Sequence, residues 1–166
     1  MSAFVVYAGS GVSGVDGKGR TTIPAELRES VQESSAGSNE VHLLRHAEYK
    51  CLIGFGAAER NKRRIDLEAR QTSAINRGEE FSAEDAGIGA SSIYKMPFEA
   101  SGRFVLNPML GHFAGIVPES RVFFVGVTTH FLLWNVDTFL AEAPAKFRAE
   151  REELDYWLNI HGKRGK

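Results

Sequence analysis

The stretch VDGKGRTTIPAELRESV, residues 15–31, contains the signals of a turn, a strand and a helix in that order. The Asp-Gly pair at 16–17 is a turn signal, and the β-branched run TTI favours a strand. Pro24 then stands where a helix can begin, and Leu27 and Val31 are four residues apart on one helical face. The stretch therefore predicts a turn, a short strand and a short helix.

The glycines in front of this stretch have the spacing of a dinucleotide-binding turn. Gly9, Gly11 and Gly14 fit G-x-G-x-x-G, a motif whose third glycine opens a helix facing the pyrophosphate. A turn and a strand follow here instead. The phosphate-loop pattern also fails, because Val12 and Gly19 stand where it needs a glycine and a hydroxyl. We expect a flexible lead into the first repeat and no cofactor site, and a nucleotide-binding enzyme has only this spacing in its favour.

The opening stretch has a second copy further along the chain. FEASGRFVLNPMLGHFA, residues 98–114, repeats the order of acid, glycine, arginine, β-rich triplet and proline. Asp16 corresponds to Glu99 and Arg20 to Arg103, each at an offset of 83 residues. Such self-similarity predicts a duplicated structural unit.

An apolar segment with a polar middle follows each copy, at 41–55 and 122–136, and predicts a hairpin. Each half then contains strand, turn, strand, short helix, strand, turn and strand. A half of about 45–50 residues buries too little surface to be stable alone. The predicted fold class is therefore α+β, with two β-rich repeats that pack on each other or assemble into an oligomer.

The predicted organisation has four parts: a first repeat at 5–56, a helical and Gly/Ser-rich linker at 57–92, a second repeat at 93–136, and a C-terminal helix with a basic tail at 137–166. The linker helix is strongly polar and is expected at the surface. The segment after Pro144 predicts an amphipathic helix. Packing on its own core is the favoured interpretation of that helix, and packing on a neighbouring subunit is the alternative.

Composition is typical of a soluble globular protein, with 166 residues, a net charge of −1, 43% hydrophobic and 25% charged residues. No apolar run reaches the roughly 20 residues that span a membrane, so we expect a cytoplasmic protein. A single cysteine, Cys51, excludes an internal disulfide and a Cys-x-x-Cys metal site. Because no catalytic set is apparent, the sequence predicts no enzyme, metal, cofactor or small-molecule substrate.

Basic residues form three clusters: Lys18 with Arg20 and Arg28, the run RNKRR at 60–64, and the tail HGKRGK at 161–166. The net charge near zero gives no global signal of a nucleic-acid-binding domain. Solvated surface charge is the favoured interpretation of the 60–64 run, with a supplementary contact to DNA as the alternative.

The repeated acid-x-x-Gly-Arg motif, the segment IPAELRE and the later segment VFFVGVTTHFLLW resemble the MraZ family of bacterial transcription regulators. The resemblance covers about positions 5–55 and 93–136. It implies two swapped-hairpin repeats of the AbrB/SpoVT type packed as a pseudo-two-fold unit, a ring-like homo-oligomer, and no catalytic activity or cofactor. It also implies a cytoplasmic, nucleoid-associated protein that binds short direct repeats of double-stranded DNA upstream of the division and cell-wall genes, usually as a repressor.

The family's D-x-x-x-R motif is associated with DNA binding, and it matches the acid and the arginine in each copy, with glutamate replacing aspartate in the second. The planar fork of arginine fits a phosphate or the acceptor edge of guanine, and a carboxylate four residues earlier can hold that fork. The pair either positions the arginine toward DNA or only clasps the turn, and the resemblance favours DNA contact supported by the clasp. The candidate DNA-binding residues are Asp16, Lys18, Arg20, Arg28, Glu99 and Arg103.

Two of these candidates occur in the first copy alone. Lys18 is predicted at the turn tip, where an ammonium can reach a phosphate. Arg28 is predicted on the short helix, and a surface ion pair with Glu26 or Glu29 is its alternative. We therefore expect the first repeat to make most of the phosphate contacts and the second mainly to build the oligomer. The alternative function is an antitoxin-type interaction module whose main partner is a protein.

Overall fold

The computed structural model describes residues 5–87 and 92–164, with side chains up to residue 160. Its elements are β1 (Ser10–Gly14), β2 (Arg20–Thr22), α1 (Ala25–Ser34), β3 (Glu40–Arg45), β4 (Leu52–Phe55), α2 (Ala57–Asn76), α3 (Ala83–Gly87), β5 (Tyr94–Pro97), β6 (Arg103–Val105), α4 (Pro108–Ala114), β7 (Arg121–Gly126), β8 (Phe131–Asn135), α5 (Val136–Glu142) and α6 (Arg148–Arg164), with a 3₁₀ turn at Ala145–Phe147. The predicted α+β class is confirmed.

The strands form one six-stranded antiparallel sheet in the order β1-β7-β8-β4-β3-β5 and a separate two-stranded ribbon of β2 and β6. Exchanging β1 to β4 with β5 to β8 gives the same sheet order in reverse. The first strand of each half pairs with the hairpin of the other half, β1 with β7 and β5 with β3. This topology is consistent with two interleaved repeats related by a pseudo-two-fold axis.

The prediction of a flexible lead at 9–14 is wrong, because residues 10–14 form strand β1. Glycine weakens a strand locally, but the backbone groups of β1 find partners in β7, with Gly11 opposite Phe124. Pairing across more than 100 residues therefore outweighs the local preference. It also excludes the dinucleotide-binding turn, since an extended strand occupies the position where that motif needs a loop and a helix.

Both faces of the six-stranded sheet are covered, and each carries its own apolar core. Along the β7–β8 hairpin, Phe124 and Leu133 belong to the core on the side of α1, α4 and the ribbon. Their neighbours Phe123 and Trp134 belong to the core on the side of α5 and α6. Burial on both faces explains why these strands are continuously apolar rather than alternating.

Helix α6 packs on its own sheet, which confirms the favoured interpretation of the C-terminal segment. Leu154 is fully buried in the second core. Trp157 donates its indole N–H to Ser10 Oγ of β1 at 2.9 Å, and Ser10 Oγ donates to Glu153 at 2.7 Å. These hydrogen bonds attach α6, the last helix, to β1, the first strand.

Helix α2 is largely exposed, as predicted, and its N-terminus is held by a buried polar network. The Tyr7 hydroxyl donates to the Glu59 carboxylate and accepts the Gly56 N–H at 3.0 Å. Ser34 Oγ donates to Glu59 at 2.9 Å and accepts the Ala58 N–H at 3.2 Å. Burial, together with the hydrogen bond to Glu59, raises the pKa of Tyr7. The network fixes the direction of α2 against α1.

The Gly/Ser-rich end of the predicted linker, residues 81–92, contains the short helix α3, and residues 88–91 lie outside the described residues. Within the described ranges, no helix is both long and apolar enough to cross a membrane.

Candidate nucleic-acid interface

The turn between β1 and β2 is built around the Asp16 carboxylate. One carboxylate oxygen accepts the backbone N–H groups of Lys18 and Arg20, each at 2.9 Å, and the other accepts Nε–H of Arg20 at 2.6 Å. The N–H of Gly19 closes the turn on the Asp16 carbonyl at 3.0 Å. Hydrogen bonds from the Arg20 backbone, and then from its side chain, lower the pKa of Asp16 to about 2. The carboxylate is therefore ionised near neutral pH.

The turn between β5 and β6 repeats this geometry. Arg103 donates to Glu99 through Nε at 3.0 Å and through Nη2 at 3.1 Å. The N–H of Gly102 bonds to the Glu99 carbonyl at 2.8 Å, and the Glu99 N–H bonds to the Arg103 carbonyl at 2.9 Å. The hydrogen bond from Arg103 lowers the pKa of Glu99, and the same pair raises the pKa of Arg103. The longer glutamate side chain thus supports a two-point clasp, whereas aspartate makes a one-point clasp.

The two turns are joined by the β2–β6 ribbon. Thr21 lies opposite Phe104, and both are buried beneath the ribbon. Arg20 lies opposite Val105 and Thr22 lies opposite Arg103, so these four residues share the outer face of the ribbon. The ribbon therefore presents two clasped guanidinium groups on one side.

Backbone bonds between the halves hold the two turns in register. The Ile23 N–H donates to the Gly102 carbonyl and the Leu106 N–H donates to the Gly19 carbonyl, each at 3.0 Å. The charges are also close enough to interact, because Arg20 contributes to the low pKa of Glu99. The structure thus brings Asp16, Arg20, Glu99 and Arg103 into one surface.

The other two candidate residues have different positions. Lys18 is exposed at the tip of the first turn. Arg28 lies against the second turn, where its Nη atoms donate to the carbonyls of Ala100 at 3.4 Å and Ile23 at 3.2 Å. In the described part of the chain its ion pair with Glu26 or Glu29 is not formed. Arg28 therefore connects α1 of the first half to the turn of the second.

Two features of this surface were not predicted from the sequence. The outward positions of Thr22 and Val105 depend on a ribbon register that no local pattern encodes. Asn107 caps helix α4, its Oδ1 accepting the N–H groups of Met109 at 2.9 Å and Leu110 at 3.3 Å. An asparagine directly before a helix-starting proline is the signal that could have identified this cap.

Both acid–arginine clasps are formed in the structure. A clasped arginine keeps side-chain N–H groups for another acceptor, because within the described chain the guanidinium of Arg20 bonds to Asp16 through Nε alone. A two-stranded ribbon also has the width that the major groove of B-DNA admits. Among the described residues, no group of three or more His, Cys, Asp or Glu side chains could hold a metal ion.

Together, the fold and the paired turns define a duplicated α+β protein whose halves exchange strands and present two braced arginines on a shared ribbon. No protein-family model matches the chain. It is 28% identical over 154 residues to "Transcriptional regulator MraZ" of Methylobacillus flagellatus, covering 90% of this chain and 94% of that protein. The proteins of the same name from Azotobacter vinelandii (28% over 148 residues, 89% and 91%) and Burkholderia vietnamiensis (27% over 140 residues, 84% and 89%) are similar to it as well. These matches support its assignment to the MraZ family and confirm the resemblance seen in the sequence.

Proposed function

We propose that the protein is a non-enzymatic, DNA-binding transcription regulator that uses the outer face of the β2–β6 ribbon to contact DNA. The observation that carries this proposal is the placement of Arg20 and Arg103 on one ribbon face, each braced by a carboxylate. A braced guanidinium is pre-organised for a bidentate contact with guanine or phosphate. The relatives named as transcriptional regulators support the same assignment.

We infer the target genes, the DNA sites and the oligomeric state from the family resemblance. The protein represses the division and cell-wall gene cluster by binding short direct repeats in the upstream double-stranded DNA, and it associates with the nucleoid in the cytoplasm. It acts as a ring-like homo-oligomer, in which many weak sites bind repeated boxes by avidity. Avidity suits this chain, since its net charge is −1 and each arginine is partly neutralised by its clasp.

The two halves contribute unequally to this function. The first half adds Lys18 at the turn tip to Arg20, and we assign it most of the phosphate contact. The second half keeps apolar side chains exposed on and around α4: Met109, Phe113, Val105 and Val117 are 41–54% exposed. At an offset of 83 residues, the first half has the polar Glu26 and Ser30 in place of Met109 and Phe113. This contrast supports assigning oligomer formation to the second half.

Fluorescence anisotropy across a salt series tests the DNA-binding proposal. The probes are the duplex upstream of the cell-wall genes and a scrambled duplex of equal length. We expect Arg20→Ala to weaken binding and to flatten the slope of log K against log [salt] by about 0.9 per lost phosphate contact. Arg103→Ala should have a smaller effect, and Arg148→Ala, on the exposed start of α6, serves as the control. Equal losses from Arg20→Ala and Arg103→Ala would refute the unequal roles.

A second candidate function, a module whose main partner is a protein, is favoured by the same exposed apolar side chains around α4. Replacing Met109 and Phe113 by serine distinguishes the two functions. If these residues build the oligomer, light scattering will show smaller particles and DNA affinity will fall through lost avidity. DNA binding that is equally weak for the upstream and scrambled duplexes, in an oligomer of unchanged size, would favour the protein-partner function.

A further inference from the structure

Helix α2 begins with a dense group of cations that the ribbon interface does not use. Arg60, Lys62, Arg63 and Arg64 lie in its first two turns, which we call the α2 basic cluster. Within the described chain, only Arg64 of this cluster has a carboxylate partner, Glu68 at 2.6 Å. The one acid of the first turn, Glu59, is directed inward to Tyr7 and Ser34. The outward surface of this helix start is therefore strongly positive.

The position of the cluster runs against the electrostatics of the helix. The N-terminus of an α-helix carries a partial positive charge and favours acidic side chains, whereas cations are favoured at the C-terminus. Four cations in the first two turns, of which only Arg64 is paired with a surface acid in the described chain, are a local conflict of the kind that proteins retain at functional sites. An external anion would relieve the repulsion and gain from the helix dipole as well.

Two of the arginines are positioned by neighbours that leave their charge uncompensated. Arg60 Nη1 lies 3.2 Å from Nδ1 of His42, and the Arg63 guanidinium lies 5.0 Å above the ring of Phe55. Their positive charges affect neighbouring histidines. Burial lowers the pKa of His42, and the charge of Arg60 lowers it further. Burial also lowers the pKa of His130, and the charge of Arg63 lowers it further. A groove beside them is lined by these two arginines and Arg64, together with Asn61, Leu67, Gly87 and Ile93.

We propose that the α2 basic cluster is a second DNA contact, which binds the phosphate backbone next to the stretch read by the β2–β6 ribbon. This rests on the proposed function. Helix α1 has 10 residues and connects the end of β2 to the start of α2 through Ser34. At 1.5 Å per residue it spans about 15 Å, the length of roughly four to five base pairs at about 3.4 Å each. The contact adds affinity without reading sequence, because it is made to phosphates.

Salt titration of paired variants tests this contact. The test variant is Arg63→Gln with Arg64→Gln, which spares Arg60 and its hydrogen bond to buried His42. The matched control is Arg70→Gln with Arg77→Gln, which removes the same charge from the other end of the linker helix. We expect the test variant to lower the slope of log K against log [salt] by up to about 1.8 on both the upstream and the scrambled duplex. The control should leave the slope unchanged.

Further arms separate the possible outcomes. Arg63→Lys with Arg64→Lys should keep the wild-type slope, since a phosphate contact needs the charge and not the fork, and thermal unfolding checks that every variant is folded. An unchanged slope in the test variant, while Arg20→Ala still lowers it, would overturn this proposal alone. Wild-type protein that binds neither duplex would overturn the proposed function with it. A thermal shift with inorganic phosphate that the test variant loses, combined with an unchanged DNA slope, would assign a free-anion site and overturn the DNA contact.

Discussion

Replacing Gly102 by alanine should destabilise the protein far more than the same change at Gly19, although the two glycines hold equivalent positions in the two turns. Both have left-handed backbones, with φ of +77° at Gly19 and +89° at Gly102. A Cβ at Gly19 would meet no atom within 4 Å. A Cβ at Gly102 would lie 2.4 Å from Nε of Arg28 and 2.8 Å from the carbonyl oxygen of Ile23.

The difference can be estimated from these contacts. Alanine in the left-handed region costs about 1–2 kcal/mol at either position. At Gly102 the guanidinium of Arg28 must also move, with loss of its bonds to the Ala100 and Ile23 carbonyls at about 0.5–1.5 kcal/mol each. The Ile23 carbonyl belongs to the backbone and cannot move freely. We therefore expect about 1–2 kcal/mol for Gly19→Ala and about 3–5 kcal/mol for Gly102→Ala.

Urea unfolding at one protein concentration, followed by far-UV circular dichroism and tryptophan fluorescence, measures both variants. An Arg28→Ala background separates the two contributions at Gly102. Removing Arg28 should reduce the penalty of Gly102→Ala by about 1–3 kcal/mol and leave the penalty of Gly19→Ala unchanged. Losses that agree within about 0.5 kcal/mol for the two glycines, or no coupling to Arg28, would refute the assigned packing of Arg28 on the second turn.

Three further perturbations follow from the fold and the first turn. Tyr7→Phe removes the hydroxyl that caps α2, and urea unfolding should show a loss of about 1–3 kcal/mol because buried polar groups lose a partner. Leu154→Ala should lower the free energy of unfolding by about 2–5 kcal/mol in the same assay, since this side chain of α6 is fully buried in the second core. Asp16 has a pKa lowered to about 2, so its stabilising effect is present above its unfolded pKa of about 3.9 and is lost as the pH falls toward 2. Acid unfolding of Asp16→Asn should therefore lack that part of the pH dependence, and an NMR titration of the Asp16 carboxyl should give its pKa directly.

Each of these three has its own control. For Tyr7, Tyr156→Phe on the exposed side of α6 should be neutral, and an equal loss there would refute the capping role. For Leu154, the exposed Asp155→Ala should stay within about 0.5 kcal/mol of wild type. For Asp16, a carboxyl that titrates near its ordinary pKa in the intact protein would contradict the clasp geometry.

Apart from strand β1, the sequence predicted the strands and the short helix of each half because their signals are local. The turn pair at 16–17, the proline at 24 and the repeat at an offset of 83 residues were sufficient for the order of strands and helices. The register of the β2–β6 ribbon was beyond prediction, since Arg20 and Val105 become neighbours only through the tertiary fold. Strand β1 was missed for the same reason. The position of Arg28 depends on the second turn, which local helix patterns do not describe.

Backbone hydrogen bonds connect each turn to the other half of the protein. The glycine that closes each turn accepts a backbone N–H from the other half through its carbonyl. Gly102 accepts from Ile23 and Gly19 accepts from Leu106, both at 3.0 Å. Because of these bonds, a change in the backbone of one turn also displaces the other turn through the β2–β6 ribbon. A backbone change such as Gly102→Ala should therefore lower the contribution of both arginines to DNA affinity. Side-chain changes at Arg20 and Arg103 leave these backbone bonds in place. Under the proposed function, unequal effects of the two changes on DNA affinity are therefore not caused by loss of these shared bonds.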